Sequence, residues 1–387
     1  MHGARGYVVA LLLLGSALPG SAAAAAAHPS LAERIFARMT ERERIGQLLM
    51  VGTPAAGISA AARRAVRRYH VGALILDGTT YAGATAERQV TRAGQRLSPR
   101  PVRLFIATDQ EGGYVQRLHG PGFSRIPTAL DQGRLGPRVL RSDARRWGRQ
   151  LAAAGVNVNL APVFDTVPRG FGSNPPIGDL DREFGHTTHR VATRGLAVLR
   201  GMRDAGVATT AKHFPGLGRV RGDTDTQRGV TDTVTGRHDH YLRPFRTAIG
   251  AHVPFVMMST AIYTQLAKRP AAFAHPIVTG MLRRQLGFAG LIISDDVGAA
   301  AQVSGYSVAR RAVLFVRAGG DVVLTVDASQ AATMTAALLA RARAHPAFKR
   351  QVDAAALLVL QTKQAQGLLR TARLGRTSDS LVKRRRR

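Results

Sequence analysis

Lys212 and His213 follow the short apolar run Gly206–Thr210 and precede Phe214-Pro215-Gly216-Leu217-Gly218, which breaks the chain into a polar stretch carrying Asp223 and Asp225. Farther on, Leu291-Ile292-Ile293-Ser294 leads into two adjacent carboxylates, Asp295 and Asp296. Neighbouring acids at the end of a buried segment are costly to desolvate unless they have partners or a role. One carboxylate at a strand end and others on a glycine-rich loop form the inventory that glycoside hydrolysis requires. Taken alone, Lys212 and His213 fit an ordinary solvated turn equally well; the second segment tips the reading toward a site.

Two more acids end apolar runs. Asp109 follows Leu104–Thr108 and precedes Gly112 and Gly113, which let backbone approach a ligand closely. A carboxylate there can accept two sugar hydroxyls at once, the alternatives being that it caps a following helix and that Arg117 pairs with Glu111. Asp165 closes Asn159-Leu160-Ala161-Pro162-Val163-Phe164-Asp165, another strand ending in an acid, and reads as structural rather than catalytic. Adjacent residues on a regular strand point to opposite faces, so Lys212 and His213 reach one ligand only if the strand has ended or bulged.

These residues need a scaffold that gathers strand ends. Eight short apolar runs read as strands: Leu48–Val51, Gly72–Leu76, Leu104–Ala107, Val156–Leu160, Val207–Thr210, Phe255–Met258, Leu291–Ile293 and Asp321–Thr325. Helical spacing is clearest in Leu31–Ile45, His186–Ala205, Tyr241–Ala251, Val308–Ala318 and Ala331–Arg343. The alternation predicts an α/β fold, a single (β/α)8 TIM-type barrel with room for imperfection near its start, whose strands deliver side chains to one rim. After Pro346 an extra C-terminal helix, Phe348–Leu369, is expected to pack outside the barrel.

The motifs Lys212-His213-Phe214-Pro215-Gly216-x-Gly218, Ser294-Asp295-Asp296 and Asp109-Gln110-Glu111-Gly112-Gly113-Tyr114-Val115-Gln116-Arg117 together resemble family 3 glycoside hydrolases, in the branch of bacterial β-N-acetylglucosaminidases that trim cell-wall sugars. The likeness covers about residues 40 to 345. It implies that Asp109, Arg117, Arg182, Lys212 and His213 bind the terminal sugar. It also implies that Asp295 is a nucleophile forming a covalent glycosyl-enzyme, with Asp296 a supporting acid or a helix N-terminal residue. No metal or other cofactor is expected, and the partner is a carbohydrate.

One position departs from that pattern. The family carries D-x-H after the glycine turn, its histidine donating a proton and its aspartate orienting it. Here Asp223 stands where the orienting aspartate belongs, Asp225 holds the histidine's place, and Leu217 replaces a histidine in the turn. Three readings follow: Asp225 is itself the acid/base, its pKa raised by burial and by Asp223; His238 swings in; or the protein binds sugar without turning it over. A carboxylate in this place repels phosphate, so hydrolysis rather than phosphorolysis is expected.

The chain carries a formal charge of +31, from 55 basic and 24 acidic residues. Residues 370–387 hold eight basic residues and one acid, so most of the excess lies in the body. Nucleic acid is the obvious suspicion, but aromatic residues are only 5% and no nucleic-acid-binding signature occurs. Electrostatic contact with an anionic cell wall or membrane surface fits an exported protein better. Residues 1–27 read as a secretory signal peptide, with apolar Tyr7–Leu14 and small residues from Ser21 to Ala27. Residues 28–369 then form the barrel and 370–387 a basic disordered tail. The chain has no cysteine, which excludes disulfides and thiolate metal sites.

Overall fold

The computed structural model describes residues 28–98 and 101–370. The leader read from residues 1–27, and the basic stretch beyond Arg370, lie outside the described residues. Eight parallel strands form the centre: β1 (Leu49–Pro54), β2 (Ala73–Asp77), β3 (Phe105–Thr108), β4 (Val158–Asn159), β5 (Ala208–Phe214), β6 (Phe255–Met258), β7 (Leu291–Ser294) and β8 (Val323–Thr325). Each pairs with its sequence neighbour from β1 to β7, and β1 also pairs with β8. A parallel bridge between Ile293 and Val322 joins β7 to the start of β8, so the sheet closes into the expected (β/α)8 barrel.

Side chains alternate along each strand. Met50, Ile75, Phe105, Leu160, Phe255, Met257, Leu291 and Leu324 fill the barrel, while Leu49, Val51, Leu74, Leu76, Ile106, Val256 and Ile292 pack outward against the helices. Burial of both faces explains why the strands read as unbroken apolar runs. β4 is shorter than its run, and asparagine side chains add to its backbone pairing with β3. Asn157 Oδ1 accepts the Ile106 N–H at 2.8 Å, and Asn159 pairs with the Gln110 backbone through both Oδ1 and Nδ2 at 3.0 Å.

The helical stretch expected over Leu31–Ile45 is two helices, Leu31–Arg38 and Glu41–Gln47. Met39 is extended, and Thr40 starts the second helix with a capping box to Glu43. The last helix, Pro346–Ala365, does more than pack outside. Val359 and Leu368 join the barrel's interior cluster and close its floor. Lys363 Nζ, wholly buried there, donates to Gln47 Oε1 at 2.7 Å and Gly72 O at 2.8 Å. Burial pushes its ammonium pKa down to about 7. Among the described residues no helix is long and apolar enough to cross a membrane.

Candidate active site

The opposite, carboxyl-terminal rim opens into a cleft of about 410 Å³. Asp109, Arg117, Arg182, Lys212, His213, Asp223, Asp225 and Asp295 all line it, so the structure brings every site residue read from the sequence to one place. His238 is not among the lining residues; it sits in an exposed turn. That removes it as a proton donor in this arrangement.

β5 delivers Lys212 and His213 together. Its pairing with β6 shifts register between Ala211 and Phe214, and the Lys212–His213 peptide is cis. The strand is thus irregular where the two adjacent side chains must share a face. Asp165, fully buried, accepts from His213 Nδ1 at 2.7 Å and from the backbone N–H groups of His213 (3.1 Å) and Leu217 (2.9 Å). This carboxylate fixes the imidazole and the glycine turn at once, leaving Nε2 for the cleft. Asp165 does not itself line the cleft; it acts from behind, through His213 and the glycine turn.

One side of the cleft is a buried chain of charges. Lys212 Nζ lies 2.5 Å from Asp109 Oδ1 and 2.7 Å from Glu111 Oε1. Arg182 meets Glu111 through two bonds, Nη2–Oε1 at 2.8 Å and Nε–Oε2 at 2.9 Å, and Nη1 donates to Pro176 O at 2.6 Å. Burial alone would raise the Glu111 carboxyl, but Arg182 and Lys212 outweigh it and hold the group well below the usual carboxylate range. Burial likewise works against the Lys212 ammonium, and Asp109 with Glu111 reverses the effect, so the lysine stays charged. Glu111 thus pairs with Arg182 and Lys212, not with Arg117, whose Nε is buried without a partner. Asp109 leads into a short ribbon, Gln110–Gly112 paired with Val115–Gln116, so it caps no helix.

The carboxylates gather on the facing side. Asp295 follows β7 and its N–H donates to Met258 O at 3.0 Å. Asp296 begins no helix; it closes a turn, accepting from Gly298 (2.8 Å), Ala299 (3.1 Å) and Val326 (3.2 Å) backbone N–H groups. Burial still leaves its carboxyl raised. Asp223 Oδ1 accepts the Asp225 N–H at 2.9 Å. Asp225 keeps a solvent-exposed face, yet the protein crowded around its carboxyl, then repulsion from Asp295 and Asp223, raise its pKa to about 7. The repulsion acts in the same direction whether or not solvent reaches the group.

Sequence reading did not single out Glu111 as a site residue, nor Asp77, which ends β2 and lines the cleft. Glu111 stands two positions beyond Asp109 in the same motif, and that spacing was the available signal. Among the described residues no cluster of three or more His, Asp or Glu side chains is arranged to hold a metal ion.

A closed parallel barrel with a carboxylate-lined cleft at its carboxyl rim, cations gripping one side and a raised acid on the other, is the architecture of a glycoside-cleaving barrel enzyme. Residues 40–361 match the glycosyl hydrolase family 3 N terminal domain. The beta-hexosaminidase of Stenotrophomonas maltophilia (strain K279a) is 33% identical over 346 residues, spanning 87% of this chain and 98% of that protein. The beta-hexosaminidase of Xanthomonas axonopodis pv. citri (strain 306) is 34% identical over 287 residues, 72% of this chain and 83% of that one. Among solved structures, the beta-N-acetylhexosaminidase from Beutenbergia cavernae superposes with a TM-score of 0.83 at 48% identity, covering 85% of this chain and 99% of that one. The chain belongs to glycosyl hydrolase family 3 and is a glycoside hydrolase.

Proposed function

We propose that the protein is an exported, retaining exo-glycosidase that removes terminal β-linked N-acetylglucosamine, with cell-wall fragments as its source of substrate. The named relatives, which are beta-hexosaminidases, support the sugar class. The observation that carries the mechanism is the shared cleft: Asp295 and a raised Asp225 face a terminal-sugar grip built from Asp109, Arg182, Lys212 and His213.

In the first step Asp295 forms a bond to the anomeric carbon as the glycosidic bond breaks, and protonated Asp225 passes its proton to the departing oxygen. The glycosyl-enzyme is then opened by water, whose proton Asp225 takes back, so sugar leaves with its anomeric configuration retained. Two acids with pKa values pushed apart by environment are what this division of labour needs. Asp109 accepts hydroxyl hydrogens from the terminal sugar, while Lys212, Arg182 and His213 supply donors or acceptors around it.

The test incubates purified protein with a chromogenic N-acetyl-β-glucosaminide and a β-glucoside from acidic to neutral pH, following the first-formed anomer by NMR. Release of β-N-acetylglucosamine from the former alone supports the proposal. Preference for the glucoside moves the chain to another specificity, and sugar binding without release makes it a binding protein. The charge of +31 supports attraction to an anionic wall, which elution from cell-wall material by moderate salt would report. Nucleic-acid affinity surviving that salt would speak for a polyanion binder instead.

A further inference from the structure

The loop bearing Asp225 is tied to the chain segment that follows Asp295. Two backbone bonds join them: the Ala301 N–H donates to Asp225 O and the Gln302 N–H to Thr224 O, each at 3.0 Å. The Gln302 side chain adds a matched pair on Val230, accepting its N–H at Oε1 (2.9 Å) and donating from Nε2 to its carbonyl (3.1 Å). Gln302 is only 7% exposed and lies in the short 3-10 turn Ala301–Val303. The stretch 224–230 is therefore held at both ends by the turn that begins six residues after Asp295. Inside the loop, Asp223 Oδ1 holds the Asp225 N–H at 2.9 Å.

We propose that Gln302 is a positioning residue for the hydrolysis: by clamping Val230 it holds the Asp225 loop closed over the cleft and fixes Asp225 beside Asp295 in the free enzyme. This rests on the reading of Asp225 as proton donor. The amide suits the task because one planar group meets a neighbouring N–H and C=O together, and an aliphatic side chain leaves both backbone groups without partners. The tether makes the donor's position a property of the fold.

The experiment compares Gln302→Leu, Asp225→Ala and wild type on two aryl N-acetyl-β-glucosaminides, one with a strongly activated leaving group and one with a poor one. A misplaced proton donor hurts the poor leaving group selectively, since the activated one departs without help. Gln302→Leu is expected to lower kcat/KM for the poor leaving group by about tenfold or more and for the activated one by less than about threefold. The basic limb of its pH profile should move to lower pH, as Asp225 drifts from Asp295. Equal losses on both substrates with an unmoved limb would reduce Gln302 to a structural role and overturn the proposal; so would no loss at all. If Gln302→Leu does not fold, by thermal melting and circular dichroism, Gln302→Glu keeps the acceptor for the Val230 N–H and is read by the leaving-group comparison alone, since its added carboxylate would itself raise the limb. Asp225→Ala separates the two claims. If it spares the poor leaving group, the donor reading fails; if it shows the selective loss and the Gln302 variant does not, only the clamp fails.

Discussion

Glu111 Oε1 lies 2.7 Å from Lys212 Nζ and 2.8 Å from Arg182 Nη2, so one buried carboxylate bridges both cations, with Asp109 supplying the second negative charge at Lys212. Removing one partner of such a group leaves uncompensated buried charge, and Glu111→Gln should cost about 3–5 kcal/mol of stability. The Glu111 pKa is depressed in the folded state. Its contribution is therefore full above the unfolded carboxylate pKa and is lost as pH falls toward the lower folded value. Urea midpoints of wild type and variant should keep their full separation down to about pH 4.5 and draw together below it; a gap that stays constant to about pH 3 would show that Glu111 acts through packing alone.

Asp295→Ala should abolish release from an aryl N-acetyl-β-glucosaminide while leaving the thermal midpoint close to wild type, because the side chain is half-buried and holds only its neighbour's N–H, that of Asp296, at 2.9 Å. Undiminished turnover would remove it from the nucleophile's role.

On the proposed mechanism Asp225 sets the basic side of the rate profile. With its pKa raised to about 7, kcat/KM should fall as pH rises through that value, since the protonated form is the donor. Asp225→Asn should lose about 10²–10⁴-fold on a poor leaving group and lose that limb. A limb that persists in the variant would belong to another residue.

Much of this was readable in the chain. The barrel was legible as eight apolar runs because both faces of each strand are buried, and each acid after a run lay at a strand end, so Asp109, Asp165 and Asp295 fell on one rim. Contacts that join distant segments left no local mark. Nothing near Glu111 announces Arg182 or Lys212, and nothing near Asp165 announces His213. The break at Thr40 was written in the sequence as a capping box with Glu43, but the apolar spacing across Leu31–Ile45 masked it. Nothing in the last helix's sequence singles out Lys363, and only the barrel's floor gives it a buried place.

That lysine supplies a fourth prediction. Its pKa is lowered from 10.5 to about 7 by burial, so between those values the unfolded chain binds more protons and wild-type stability gains with rising pH. Lys363→Met has no such group. The difference in thermal midpoint between them should shift in favour of wild type from about pH 7 to pH 10, and a flat difference would mean the lysine is charged in place.

Phosphate should not accelerate product formation. An anion approaching the glycosyl-enzyme meets Asp223, Asp225 and Asp296 around Asp295, whereas water does not feel that repulsion. Sugar 1-phosphate among the products in phosphate buffer would contradict the expectation.

Val359 and Leu368, the stopper beneath the barrel, follow all eight strands in chain order. During translation every strand leaves the ribosome before the plug that seals the tube's underside. The eight strands can pair before that plug arrives, but the tube's apolar interior stays open to water from below until it docks.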